Sequence, residues 1–322
     1  MSDVQPSPLE PHVAAIVVNW NGWRHTEAAL ASLERSTYDR WSLIVVDNAS
    51  SDDSVERLQG LSPRLRLVQS GTNLGFAGGC NLGVRAALED DADAVFLLNS
   101  DATVRPETLG TLVDAHRETP DAVLGALVRF TDGGALQFFG SRRGPEVGGP
   151  IWFTEAADSA ELSQPLIESD FIFGAALFAG AGLFERVGLF DERFFLTYEE
   201  TDWCYRARAI GSRCLVVRDA VVDHVGSASL GSATSPLQAY FLQRNRLLFW
   251  EKHAGLHLWA RGLRGDLRWF SRGFSQDLHS LARRRRLDAT RRATFVAWRD
   301  YLFRRFGDSP ASIRRLGRTN VD

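Results

Sequence analysis

The sequence lacks the long apolar runs and the cysteine pairs that characterise membrane-spanning and disulfide-stabilised proteins. Its 322 residues contain three cysteines, Cys80, Cys204 and Cys214, and none of their spacings matches a metal-binding Cys-x-x-Cys pair. No apolar run approaches the roughly 18 residues that a transmembrane helix needs. We therefore expect reduced thiols and a cytoplasmic protein.

Two common nucleotide-binding fingerprints and a secretory leader are also absent. Neither the GxGxxG order of dinucleotide-binding folds nor the GxxxxGK[ST] P-loop occurs in the chain. Residues 1–11 are polar and contain proline, without a basic segment followed by an apolar one. We expect these residues to form a disordered lead and not a signal peptide.

Basic residues are concentrated at the C-terminal end of the chain. Residues 244–322 carry 18 arginines and one lysine against seven acids, a net charge of +12, which leaves −15 for the remainder and −3 for the whole. We divide the chain into a domain over 12–250 and an Arg-rich helical extension over 251–322. An acidic body that contains no binding motif is a poor match for nucleic acid.

Aromatic and basic residues alternate along this extension, where Trp259, Trp269 and Phe270 lie among arginines. A basic amphipathic pattern with aromatic residues indicates peripheral attachment to an anionic membrane surface, here the inner face of the cell membrane. The alternative is that these helices pack on the acidic body or on a second copy of the chain, as in a homo-oligomer.

Strands and helices alternate in the first hundred residues. Short apolar runs bounded by polar turns predict buried strands at 13–18, 41–46, 65–68 and 95–98, with helical spacing between them. This alternation favours an α/β fold in which helices flank a Rossmann-like, mostly parallel sheet.

Three of these strands end in side chains that form hydrogen bonds. The carboxyl ends of parallel strands meet at one edge of the sheet, where ligands bind. A carboxylate held there binds a divalent cation, which in turn binds a diphosphate. The alternative is that the polar residues form turns and helix caps. The residues concerned are Asn19 and Asn21 after the first strand, Asp47 and Asn48 after the second, and Asn99-Ser100-Asp101 after the fourth.

A glycine-rich loop opens the helix that precedes the fourth strand. It runs from Asn73 through Gly75 and Phe76 to Gly78 and Gly79. Glycines at a helix start allow backbone N–H groups to approach a phosphate closely. The alternative is that they allow the helix to pack tightly on a strand.

Further along, three acids, Glu199, Glu200 and Asp202, crowd the start of another predicted helix, directly after the aromatic run 194–198. Acids are common at helix starts because they interact favourably with the helix dipole. A carboxylate among aromatic rings is also a candidate general base, since desolvation brings its pKa towards the working pH. His224 has many structural uses, but a neutral imidazole there can join Asp101 on a metal.

Taken in this order, the motifs resemble those of the family 2 glycosyltransferases, and within them the rhamnosyltransferase-like branch. The resemblance covers about residues 12 to 250. It implies a GT-A fold, an inverting mechanism and a nucleoside-diphosphate sugar donor. The motifs are Asn19-Trp20-Asn21, Val45–Ser50, Asn73–Gly79, Leu98–Asp101, Gly188–Phe195, Tyr198–Asp202 and His224.

The resemblance also implies residue roles. Glu200, in the acidic group with Glu199 and Asp202, is the catalytic base, and Asp101 with His224 binds Mg²⁺ or Mn²⁺. Asn99 replaces the first acid of the metal motif, and Cys80 stands where asparagine is usual. The implied donor contacts are Asn19, Asn21, Asp47, Asn48, Asn73, Gly75, Phe76, Gly78, Asn81, Asn99 and Asp101.

The expected activity is transfer of a sugar, a deoxyhexose such as rhamnose, from a dTDP- or UDP-linked donor to a hydroxyl of a glycan or lipid-linked acceptor. One alternative is a nucleotidyltransferase that makes nucleotide-sugars, but this would need a basic, glycine-rich loop where Asn19-Trp20-Asn21-Gly22 stands. The other is an inactive sugar-binding subunit, against which the intact Asp101 and Glu200 argue.

Overall fold

The computed structural model describes residues 10–132, 134–143, 150–152, 161–226, 235–255, 259–260, 264 and 289–318. The strands are β1 (Val13–Asn19), β2 (Trp41–Asp47), β3 (Leu65–Gln69), β4 (Ala94–Leu98), β5 (Ala102–Val104), β6 (Val123–Phe130), β7 (Leu136–Phe138), β8 (Ser141–Arg143), β9 (Pro150–Trp152), β10 (Leu166–Ser169), β11 (Ala176–Gly180) and β12 (Cys214–His224). The helices are α1 (Trp23–Leu33), α2 (Ser54–Leu58), α3 (Gly75–Glu89), α4 (Thr108–Glu118), α5 (Ala181–Val187), α6 (Glu199–Ala209), α7 (Pro236–His253), α8 (Ala289–Leu302) and α9 (Ala311–Arg318), with a 3-10 turn at Glu161–Ser163.

One large mixed sheet forms the centre of the fold. Its strand order is β10-β12-β6-β11-β4-β1-β2-β3, with β5 added beside β12 and β7 beside β6. Strands β4, β1, β2 and β3 are mutually parallel, as the strand–helix alternation predicts. Strand β11 runs antiparallel to both β4 and β6, so the parallel order is interrupted at the middle of the sheet.

Helices cover both faces of the sheet, which explains why its central strands are apolar throughout and do not alternate. Along β1, Ala14 and Ile16 pack with residues of α3, α5 and α6. Their neighbours Val13, Ala15 and Val17 pack on the opposite face with residues of α1 and α4. Because all five residues are at most 1% exposed, β1 fixes the position of Asn19 at its carboxyl end.

The C-terminal helices pack on α7. Tyr240 of α7 donates to the buried carboxylate of Asp300 on α8 at 2.9 Å, and Ile313 of α9 packs with Tyr240. The domain boundary predicted at residue 250 falls inside α7. Most of the aromatic and basic residues expected to bind a membrane, including Trp269, Phe270 and the arginines 283–286, lie outside the described residues. So do residues 1–9 of the lead predicted over 1–11.

Candidate functional site

The ends of β1 and β2 are joined by a buried hydrogen-bond network. The amide of Asn19 donates to Asp47 Oδ1 and to Ser50 Oγ, both at 3.1 Å, and its oxygen accepts from Thr26 Oγ1 at 2.9 Å. The backbone N–H of Ser50 donates to Asp47 Oδ2 at 3.1 Å. Asn19 and Asp47 therefore meet at the sheet edge, as the sequence predicts, and each helps to fix the other.

Asn21 and Asn48 organise the adjoining loops. Asn21 Oδ1 accepts from the backbone N–H of Ser51 at 2.7 Å, which joins the loops that follow β1 and β2. Asn48 donates to Asn73 Oδ1 at 3.2 Å and to the Gly75 carbonyl at 2.9 Å. These asparagines hold together the three loops that the donor is expected to contact.

The glycine-rich loop is closely packed. A Cβ at Gly75, where φ is +71°, would lie 2.4 Å from the carbonyl oxygen of Phe195, and one at Gly79 would lie 2.7 Å from Val18. The Ala77 N–H donates to the same Phe195 oxygen at 3.2 Å. The glycines thus let α3 pack closely on the sheet and on the loop that leads into α6, which is the alternative role considered for them. Their contact with a phosphate stays a prediction.

Asn81 faces away from the strand ends. Its amide donates to the Phe190 carbonyl at 3.0 Å and to Glu192 Oε1 at 2.9 Å, and its oxygen accepts from the Phe190 N–H at 2.8 Å. It fastens α3 to the Gly188–Phe195 motif. The donor contact at Asn81 stays a prediction.

Asp101 and His224 meet after β4 and at the end of β12. His224 Nε2 lies 3.1 Å from Asp101 Oδ1 and 3.2 Å from the amide of Asn99, while His224 Nδ1 lies 2.8 Å from Gln137 Oε1. The strand pair β5–β12, with Ala102 opposite His224, brings the two residues together. The short strand β5 and the role of Gln137 had no recognisable signal in the sequence.

Asp101 and His224 suit a cation that obtains its remaining ligands from a substrate. Among the described residues, no group of three or more His, Cys, Asp or Glu side chains forms a complete metal site. Mg²⁺ and ions like it are commonly held by one or two protein ligands together with phosphate oxygens and water. One carboxylate and one imidazole therefore fit the predicted Mg²⁺ or Mn²⁺ when a diphosphate is present.

The acids Glu199 and Glu200 are both buried at the start of α6. Glu199 Oε2 and Glu200 Oε2 form no hydrogen bond with any residue that the structure describes. Burial raises the pKa of Glu200 to about 7, although hydrogen bonds from the backbone of Thr201 and Gly174 act to lower it. Burial and the charge of Glu200 raise the pKa of Glu199 well above its ordinary value. Glu200 therefore ionises where a general base is most useful.

Asp202 has a different environment, although it lies only two residues further on. It is fully buried and contacts two cations and a histidine, with Lys252 Nζ at 2.6 Å, Arg206 Nε at 2.9 Å and His253 Nε2 at 2.8 Å. Burial raises the pKa of Asp202, but the hydrogen bonds from His253 and Lys252 outweigh it and lower the pKa. Asp202 thus ties α6 to the last turn of α7.

A three-residue segment before β11 connects the acidic pair to the Asp101–His224 pair. The ring of Phe173 packs edge-on against His224 with centroids 5.8 Å apart. A Cβ at Gly174 would lie 3.6 Å from Glu200 Cδ, and the Ala175 carbonyl accepts from the N–H of Asn99 at 3.1 Å. Through these contacts one short segment touches His224, Glu200 and the backbone of Asn99.

Two residues of α7, Arg244 and Asn245, hold the loop that leads into α6. Asn245 donates to the carbonyls of Phe194, Leu196 and Thr197 at 2.8 to 2.9 Å, and Arg244 donates to that of Phe194 at 3.0 Å. Both are completely buried. Neither residue was predicted to belong to the site, although the run of four polar residues from Gln243 to Arg246, between apolar stretches of α7, was a usable signal.

An open cleft lies at this edge of the sheet. One side is formed by loops that follow the strands, and the other by α7 and the C-terminal segment. The lining residues are Val18, Trp20, Asn48, Asn73, Gly75, Phe76, Ser100, Phe195, Leu196, Leu237, Phe241, Asp308, Ser309 and Arg314.

Comparison with known proteins agrees with this arrangement. The family described as Glycosyl transferase family 2 matches residues 14–178, just over half of the chain. The chain belongs to glycosyl transferase family 2. Membership makes this protein a glycosyltransferase and leaves the nucleotidyltransferase alternative without support.

Two curated relatives of this glycosyltransferase are informative. The N-acetylglucosaminyl-diphospho-decaprenol L-rhamnosyltransferase of Mycobacterium tuberculosis is 28% identical over 292 residues, covering 85% of this chain and 91% of the relative. A low-salt glycan biosynthesis hexosyltransferase of Haloferax volcanii is 30% identical over 250 residues, covering 76% and 77%. The predicted similarity to rhamnosyltransferases is confirmed.

A solved structure supports the fold of the glycosyltransferase. A mannosyltransferase from Pyrobaculum calidifontis in complex with GDP-Man and Mn²⁺ superposes with a TM-score of 0.59 at 17% identity, covering 94% of this chain and 90% of that one. The predicted GT-A fold is confirmed. None of the described helices is both long enough and apolar enough to cross a membrane.

Proposed function

We propose that this glycosyltransferase moves a deoxyhexose such as L-rhamnose from a dTDP- or UDP-linked donor to a hydroxyl of a lipid-linked glycan, with inversion at the anomeric carbon. The observation that carries the proposal is that the segment 173–175 contacts both Glu200 and His224, and that His224 lies 3.1 Å from Asp101. The sugar and the acceptor class are supported by the similarity to the mycobacterial rhamnosyltransferase.

The donor is assigned to the cleft at the ends of β1, β2 and β4. Asp47, buried between Asn19 and Ser50, is assigned to the ribose or base, and Asn48 and Asn73 to the nucleotide-sugar. Asp101 and His224, with Asn99 beside them, would hold Mg²⁺ or Mn²⁺ against the diphosphate. A cation in this position neutralises charge on the departing nucleoside diphosphate.

Glu200 acts as the base in this reaction. Its carboxylate takes the proton of the acceptor hydroxyl while that oxygen forms a bond to the anomeric carbon. The bond between the anomeric carbon and the diphosphate oxygen breaks at the same time, and its electron pair leaves with the nucleoside diphosphate. A single displacement of this kind inverts the anomeric configuration without a covalent intermediate on the enzyme.

The Arg-rich extension is assigned to the cytoplasmic surface of the membrane, where a lipid-linked acceptor would be presented. Within the described residues, Leu302 and Phe303 are 62% and 69% exposed, and the guanidinium of Arg305 lies 5.7 Å from the Phe303 ring. Exposed apolar side chains beside arginines are typical of a surface that binds anionic headgroups.

A panel of nucleotide-sugars tests the donor assignment. We expect the protein to release nucleoside diphosphate from a dTDP- or UDP-deoxyhexose when Mg²⁺ or Mn²⁺ is present, and to lose this activity with chelator. Asp101→Ala should abolish the metal-dependent release, whereas Asp114→Ala, on the exposed surface of α4, should not. Full activity of Asp101→Ala in chelator would refute the metal assignment.

A further inference from the structure

The far wall of the donor cleft comes from the C-terminal segment of the chain. Asp308, Ser309 and Arg314 line the cleft together with Trp20, Asn73 and other residues of the strand-end loops. The segment lies well beyond residue 178, where the match to the family ends. These three lining residues therefore lie outside the part of the chain that matches the family.

The charge of this wall differs from that of the other walls. Among the described residues that line the cleft, Arg314 is the one cation and Asp308 the one anion. Arg314 Nη1 lies 2.9 Å from Asp308 Oδ2, and the Arg314 side chain is 46% exposed. The guanidinium is thus held at the cleft with enough of its surface accessible to bind a ligand.

The position of Arg314 is fixed by its neighbours. Ile313 is 1% exposed and packs with Phe195 and Phe241, which also line the cleft. The carbonyl of Gly307 accepts a hydrogen bond from Arg244 at 2.6 Å. The turn that carries Asp308 and the helix that carries Arg314 therefore pack on the same residues that hold the loop leading into α6.

We propose that Arg314 binds a diphosphate in the cleft, an inference that rests on the proposed function. Guanidinium groups bind phosphate oxygens through paired, charge-assisted hydrogen bonds, and a diphosphate offers several such oxygens. Two substrates of the proposed reaction carry this group: the nucleotide-sugar donor and a lipid-linked acceptor of the diphospho-prenol type. Asp308 keeps the guanidinium in place when the cleft is empty.

Binding measured in chelator tests the proposal, because the contribution of Arg314 is then separated from that of a metal. The probes are UDP, dTDP and a short-chain prenyl diphosphate, titrated calorimetrically against the wild-type protein, R314Q and R314K. R315Q is the matched control, since Arg315 is the next residue and is not part of the cleft lining. R314Q should melt like the wild type, because half-exposed ion pairs contribute little to stability.

We expect R314Q to weaken the binding of at least one diphosphate about tenfold or more, R314K to recover part of it, and R315Q to match the wild type. Weaker binding of UDP or dTDP assigns Arg314 to the donor, and weaker binding of the prenyl diphosphate alone assigns it to the acceptor. Equal affinities of R314Q and wild type for all probes would overturn the inference and leave the proposed function standing. A wild-type protein that binds no probe in chelator would overturn the inference alone, and one that binds no probe with Mg²⁺ either would overturn both.

Discussion

Asn245 donates its side-chain amide to the backbone carbonyl of Thr197 at 2.9 Å, two residues before the buried acidic pair begins. Thr197 and Tyr198 have φ values of 69° and 74°, in the left-handed region that side chains other than glycine seldom occupy. Such backbone persists only where its surroundings hold it in place. Asn245 provides that restraint, so it determines where α6 starts and where Glu200 lies.

Replacing Asn245 with alanine should therefore impair both stability and turnover. The carbonyls of Leu196 and Thr197 lose this donor, at about 1–2 kcal/mol each, so we expect a loss of roughly 2–4 kcal/mol in the free energy of unfolding. The kcat should fall, and the KM for the donor should rise as well, because Leu196 in the loop that Asn245 holds also lines the proposed donor cleft. Denaturant unfolding and steady-state kinetics measure the two effects.

Leu242→Ala is a suitable control for this experiment, because Leu242 lies on the same helix and is 40% exposed. Its stability and kcat should stay close to those of the wild type. An Asn245→Ala enzyme with an unchanged kcat would show that the loop keeps its position without the amide.

The identity of the base is tested by three conservative substitutions. Glu200→Gln should lower kcat by on the order of 10²-fold or more with donor affinity near normal, because the amide cannot accept the proton. Glu199→Gln should have a smaller effect, since the raised pKa of Glu199 already favours its neutral form. Kinetics and donor titration on the same preparations measure both.

Asp202→Asn should behave differently, with a lower melting temperature as its main effect. It removes a buried charge that Lys252 and Arg206 balance, and breaking such pairs typically costs about 3–5 kcal/mol. A folded Asp202→Asn protein that has lost kcat more completely than Glu200→Gln would move the base assignment to Asp202.

The activity should depend on pH through Glu200. The base must be ionised, and burial raises its pKa to about 7, so kcat/KM should decline below about pH 7 and approach a tenfold loss per pH unit. The stability should change in the opposite direction. A carboxyl whose pKa is raised on folding stabilises the folded state below its unfolded pKa, and that stability is lost as the pH rises from about 4.5 to about 7.

Glu200→Gln provides the control for this stability effect, because the neutral amide does not titrate. Its melting temperature should fall less than that of the wild type over the same pH range. If the melting temperatures of the two proteins changed equally with pH, Glu200 would ionise with an ordinary pKa.

Membrane attachment should depend on the arginines of the extension. Residues 283–286 are four consecutive arginines, and each near an anionic surface contributes about 1 kcal/mol to binding. Replacing all four with glutamine should reduce co-sedimentation with phosphatidylserine vesicles at low salt, and high salt should reduce it for the wild type as well. Equal recovery of both proteins in the pellet would refute the electrostatic assignment.

The strand ends and the acidic pair were predictable from the sequence because their signals are local. The apolar runs before Asn19, Asp47 and Asn99 end at the polar residues themselves, and the parallel arrangement of β1, β2 and β4 then requires a common edge. The acidic pair was visible because charges rarely follow directly on an aromatic run.

Other features of the site depend on contacts between distant parts of the chain, and local patterns do not record them. Strand β11 lies antiparallel between β4 and β6, and only this insertion places Gly174 beside Glu200. Gln137 reaches His224 through the pairing of β7 with β6. Arg314 was interpreted as part of a basic extension, because nothing in its sequence surroundings indicates that α9 returns to the cleft.

The close approach of Gly75 to Phe195 connects the loop assigned to the donor with the loop that precedes the candidate base. Gly75 begins the helix beside the donor pocket, and Phe195 begins the left-handed stretch that leads to Glu200. The Phe195 carbonyl also accepts from the N–H of Ala77, so main chain is bonded directly to main chain at this point. A displacement of α3 would therefore reach the loop before Glu200 without an intervening side chain.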